Sequence, residues 1–98
     1  MSLITFDPAK SSANAALRGL PFSLVKELDW STAIMLEDTR HDYGEQRFRV
    51  FGYIGSRLYA AVITPRTGSI HVISLRKANR REQQRYDQAN KATPDQGG

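Results

Sequence analysis

At 98 residues, with 40% hydrophobic and 24% charged side chains, the chain has the size and balance of one modest globular domain. Its formal charge is +4 and it contains no cysteine, which excludes disulfides, thiolate catalysis and cysteine-held metals. No apolar run reaches bilayer length and the first residues carry no basic-then-apolar leader, so the expectation is a cytoplasmic protein with no membrane partner.

Residues 4–6 read as a short strand. Asp7 then supplies an N-cap and Pro8 a first helical position. Ala9, Ala13, Ala16, Leu17 and Leu20 recur at helical spacing, which predicts the buried face of this helix, and Gly19 should end it. A second, shorter helix is expected from Pro21 and Phe22, with Leu24, Val25 and Leu28 towards the core. Beyond Trp30 the pattern turns to alternation. Residues 33–36 form a strand and residues 37–44 a polar, acidic loop. Residues 47–54 form the next strand, with Phe48, Val50 and Ile54 inward and the arginines outward. Gly55 and Ser56 make a tight hairpin into a strand over 57–64, and residues 65–68 turn into a strand over 70–75. Asn79 followed by Glu82 has the spacing of a capping box, so a last helix begins there. Only Ala78, Tyr86 and Ala89 offer it an apolar face, so its stability should rest on caps or a partner. The expected fold is α+β: a four-stranded antiparallel meander sheet plus a short N-terminal strand, two N-terminal helices and one C-terminal helix. The domain is expected over residues 1–87, with residues 88–98 a disordered tail.

Charge is distributed unevenly along the chain. Residues 26–45 hold six acids against two bases, whereas residues 47–85 hold nine bases and one acid, Glu82. Arg76, Lys77, Arg80 and Arg81 crowd four cations into the junction of the last strand and last helix. A helix N-terminus already carries partial positive charge, so cations are poorly placed there unless an anion joins them. A phosphate backbone is the leading candidate.

Phe6, Asp7, Pro8, Lys10 and Asn14, then Gly19 and Phe22, Glu37 and Asp38, Gly44, Glu45 and Arg47, and Gly52 form the first part of a pattern. Thr64 and Arg66, Ile73, Ser74, Arg76, Lys77 and Ala78, Arg80, Arg81 and Glu82, and Tyr86 complete it. In that order and spacing the chain resembles the BrnT toxins of bacterial type II toxin–antitoxin systems, small ribonucleases with a RelE/ParE-like fold. Three positions depart from the common pattern. Leu17 and Arg18 stand where many members have lysine and histidine, and His71 stands where many have arginine.

The resemblance implies a cytoplasmic ribonuclease toxin that inhibits translation and growth by cleaving RNA without a metal or other cofactor. Its partners would be an RNA substrate and a cognate BrnA-like, ribbon-helix-helix antitoxin; a dimer and a hetero-oligomer with the antitoxin both remain open. In that chemistry the 2′-hydroxyl attacks the adjacent phosphorus, which calls for positive charge around the phosphorane and a group to move protons. Arg76 and Arg80 are the first candidates for phosphate contact, because a planar guanidinium binds two phosphate oxygens. Arg47, Arg66, Lys77 and Arg81 stand in support, and Tyr86 could stack a base. Glu45 could accept a proton or could pair with Arg47, and His41 in the same loop could titrate near neutral pH. His71, opposite in parity to Ser74 and Arg76, favours a packing role. Glu37, Asp38, Asp42 and Glu45 follow no metal-loop pattern. The rival reading is a module that binds nucleic acid, or inhibits a protein in the manner of ParE, without catalysis.

Overall fold

In the computed structural model, which describes residues 3–91, both helix caps written into the sequence are formed. Strand β1 (Leu3–Phe6) leads into α1 (Pro8–Arg18). The Asp7 Oδ1 accepts the Ala9 N–H at 2.9 Å, and Gly19 ends the helix at a φ of 71° that favours glycine. A 3-10 helix, Phe22–Glu27, takes the place of the second α-helix, since only a short span separates Pro21 from the extended Leu28. Strands β2 (Ile34–Glu37), β3 (Phe48–Ile54), β4 (Arg57–Arg66) and β5 (Ser69–Lys77) follow, then α2 (Arg80–Lys91).

All five strands lie in one sheet, in the order β1-β5-β4-β3-β2. The four-strand meander is antiparallel as expected, but β1 joins it in parallel with β5, so the sheet is five-stranded and mixed. Backbone groups on the outer side of β5 would otherwise go unpaired, and β1 satisfies them while adding Ile4 and Phe6 to the core.

The main core lies on one face of the sheet, where Val50, Ala61, Ile63, Val72 and Leu75 meet Leu20, Phe22, Val25 and Leu28. Gly52 faces Leu28 here so closely that a Cβ would overlap the Leu28 Cδ2. Helix α1 does not dock through the alanine–leucine face. Ala9, Ala13, Ala16 and Leu17 are exposed, and the side towards the protein carries Ser11, Asn14 and Ala15. Hydrogen bonds hold it instead. Ser11 Oγ accepts the Phe22 N–H at 2.8 Å, and Asn14 Nδ2 donates to the carbonyls of Leu20 at 2.7 Å and Leu75 at 2.9 Å.

Helix α2 covers part of the opposite face, packing over Phe51, Leu58 and Ala60 through Tyr86. It runs to Lys91, four residues into the stretch expected as a tail, because Ala89 adds a further turn along the groove that Tyr86 starts. The rest of that expected tail, residues 92–98, lies outside the described residues. Among the described residues no helix is long and apolar enough to cross a membrane.

One irregularity decides which side chains share the uncovered part of this face. Between the pairs Val62–Ser74 and Ile63–Val72 the register shifts, so β5 carries one extra residue, Ile73. Strand alternation therefore reverses at the bulge. His71, Ser74 and Arg76 lie on the same face, against the expectation from simple parity.

Candidate active site

The uncovered half of the second face is built from β3, β4 and β5. Pairing sets Arg49 beside Val62 and Val62 beside Ser74, with Arg76 opposite Ala60 one step further along. Above these lies a depression of about 230 Å3, walled by Arg40, Arg49, Arg76 and Glu82 over Ala60, Val62 and Ser74. Three guanidinium groups thus face one carboxylate.

Each arginine is held differently. Arg40 comes from the acidic loop, where its Nε and Nη2 both donate to the carboxylate of Asp38 at 2.8 Å. Asp38 is buried and also accepts the Tyr43 hydroxyl at 3.2 Å. These hydrogen bonds, Arg40 first, hold the Asp38 carboxyl far below the usual carboxylate range and raise Arg40 in turn. Arg76 donates through Nη1 and Nη2 to the two oxygens of Glu82, each at 2.8 Å, and a third N–H reaches the Lys77 carbonyl at 3.3 Å. Two N–H groups along one edge, Nε and the second of Nη2, are left to face an anion. The pairing raises Arg76 and lowers Glu82, whose carboxylate also accepts the Asn79 N–H. Arg49 is the exception. Its Nε is withdrawn from water and has no acceptor among the described residues.

The anion anticipated at the strand–helix junction is therefore partly internal, since Glu82 neutralises Arg76 while capping α2. Arg80 and Arg81 stand exposed in the first turn of α2, and neither lines the depression. Lys77 lies opposite Tyr59 on the other side of the sheet, because strand alternation separates it from Arg76. Tyr86 is not available to stack a base. It is 5% exposed, donates its hydroxyl to the Thr32 carbonyl at 2.8 Å, and sets its ring edge-on to Tyr53.

A second depression, of about 160 Å3, lies at the end of the sheet where β3 and β5 begin and β4 ends, and there Lys10, Glu45, Arg47, Arg66 and His71 meet. Glu45 stands 3.5 Å from Arg47 and 3.9 Å from Arg66. The Arg47 guanidinium lies 4.0 Å over the Tyr43 ring, and its Nε is shielded from water without a hydrogen bond. His41 packs edge-on to Tyr43 and lines neither depression. Among the described residues no three histidine, aspartate or glutamate side chains gather to hold a metal ion.

Sequence reasoning missed Arg40, Arg49, Glu82 and Lys10 as site residues. Arg49 carried a usable signal, because it alternates outward on β3 and any pairing of that strand with β4 turns it to this face. Arg40 carried none, since its position depends on how the loop folds around Asp38.

Residues 6–82 match the family model for BrnT, described as the ribonuclease toxin of a type II toxin–antitoxin system. No curated protein and no solved structure matches the chain.

Proposed function

Since the chain belongs to the BrnT family of ribonuclease toxins of type II toxin–antitoxin systems, we propose that it cleaves RNA in the depression between Arg40, Arg49 and Arg76, without a metal. The 2′-hydroxyl gives its proton to solvent water as its oxygen attacks the adjacent phosphorus, and the P–O5′ bond breaks with the leaving 5′ oxygen taking a proton from water, so that negative charge gathers on the phosphorane oxygens in between. Arg49 is the observation that carries this reading. Its guanidinium lines the depression and has no hydrogen-bond acceptor among the described residues, so it has no protein contact to break in turning a pair of N–H groups to a phosphate oxygen. Arg76 offers its free edge to the same phosphate, while Glu82 fixes the plane of that edge. Arg80 and Arg81 supply longer-range attraction from the rim rather than contact with the reacting group. Glu45 stands beside Arg47 and Arg66 as a counter-charge without a hydrogen bond to either. The order of helices and antiparallel strands supports the RelE/ParE-like assignment, and inhibited translation in the cytoplasm is the expected consequence of RNA cleavage.

Purified protein should cut single-stranded RNA in EDTA and leave 2′,3′-cyclic phosphate ends. Arg49→Ala should lose about 10²–10³ in rate, the scale of removing one electrostatic stabiliser. Activity that disappears in EDTA and returns with magnesium would overturn the mechanism.

Membership of a type II system implies an antitoxin as well as an RNA substrate. We place the antitoxin, of the BrnA-like ribbon-helix-helix kind, on the edge of β2 and the adjoining face of α2. Met35 and Leu36 are 47% and 46% exposed on that edge strand, and a groove of about 210 Å3 runs beside it over Phe51, Tyr86 and Ala89. Arg49 and Glu82 belong to both the groove and the cleavage depression. An apolar segment seated there with an acidic side chain towards Arg49 would exclude phosphate. Amide exchange in β2 should slow on complex formation; unchanged exchange would move the interface elsewhere.

A further inference from the structure

We propose that the second depression, where Lys10, Arg47, Arg66 and His71 converge, is a phosphate subsite for the RNA strand, and that His71 binds there in its protonated form. This rests on the assignment of RNA cleavage to the neighbouring depression and extends it along the substrate backbone. Three observations converge on it. The bulge at Ile73 turns His71 onto the same face as Arg49, Ser74 and Arg76. His71 pairs with Thr64, two residues along β4 from Val62, which pairs with Arg49 and Ser74. Those two rows are about 7 Å apart, a step that one nucleotide of an extended strand can bridge.

The imidazole is also held in a way that suits a donor. Its Nδ1 lies 2.9 Å from the Thr5 Oγ1, and among the described residues Nε2 has no partner. A protonated ring donates through both nitrogens, so it satisfies Thr5 with one and offers the other to a phosphate oxygen. The charged groups around it come from every adjoining element: Asp7 and Lys10 from the β1–α1 junction, Glu45 and Arg47 from the residues before β3, and Arg66 from the end of β4. Three cations against two carboxylates leave one net positive charge, and protonation of His71 makes it two. Glu45 does not close the site. It stands 3.9 Å from an Arg66 side chain that is 51% exposed, too far for a hydrogen bond.

A phosphate is bound best by an imidazole that carries a proton, so the subsite makes RNA affinity fall as pH rises, whereas phosphodiesters keep their charge. The test measures binding of a 2′-O-methyl RNA oligonucleotide, which cannot be cleaved, at pH 6 and pH 8. Wild-type protein should bind severalfold more tightly at pH 6. His71→Gln should bind weakly and equally at both values, and His71→Lys tightly and equally at both, a rescue that a purely packing role would not give. Arg66→Ala should lower the slope of log affinity against log salt by about 0.7, the share of one single-strand phosphate contact. If His71→Gln keeps the full pH dependence while Arg49→Ala weakens binding, the subsite is wrong and the cleavage assignment stands. If neither substitution alters affinity, RNA does not lie on this face and both fail.

Discussion

At Arg49 the balance between stability and function can be read from a single nitrogen. Its Nε has given up water without gaining an acceptor, which costs stability in the free protein. Arg49→Met, which keeps the aliphatic stem and removes the charge, is therefore expected to leave the melting temperature unchanged or higher while cleavage is lost. A large drop in melting temperature would mean that Arg49 is structural. Glu82 behaves in the opposite sense. Its folded pKa is depressed, chiefly by Arg76, so it contributes stability above the ordinary glutamate range, and that contribution is lost as pH falls through the lower folded value. Urea titrations below about pH 4 should show this acid loss in wild-type protein and a reduced loss in Glu82→Gln, which keeps a side chain able to cap. The same geometry makes Arg76 an uninformative target for alanine, because its removal also disturbs the cap of α2.

Among the elements, those defined by local chemistry were legible and those defined by distant partners were not. Asp7, Pro8 and Gly19 bound α1, and Asn79 with Glu82 starts α2, because caps are contacts within a few residues. The docked side of α1 was misread because Ser11 and Asn14 bind main-chain groups that no periodicity reveals. His71 was misread because the bulge depends on how β4 pairs with β5, and Tyr86 because its acceptor, the Thr32 carbonyl, lies 54 positions away. The half of the site on β5 was visible as a run of cations; the half supplied by Arg40 and Arg49 needed the fold. Helix α2 is better anchored than its polar sequence implied. Tyr86→Ala should cost about 3–5 kcal/mol of stability, as for truncation of a buried aromatic ring, and should free the helix to exchange its amide hydrogens. On the other side of the sheet, Gly52→Ala should cost about 1–3 kcal/mol by forcing β3 away from Leu28, measurable by chemical denaturation.

Taken whole, the molecule separates its tasks across a single sheet. One face is given to the core, and the other is divided between the packing of α2 and an open cationic surface. The parallel pairing of β1 with β5 has a consequence in time. Thr5 leaves the ribosome 66 residues ahead of His71, a delay of roughly 3–13 s at ordinary elongation rates. Throughout that interval the first strand has nothing to pair with, and the strand that carries His71 and Arg76 does not yet exist. A nascent chain released at residue 68 should remain open to protease, whereas one extended through α2 should resist it. Until β5 has been made, the chain lacks the strand that carries His71, Ser74 and Arg76 and on which both depressions are built.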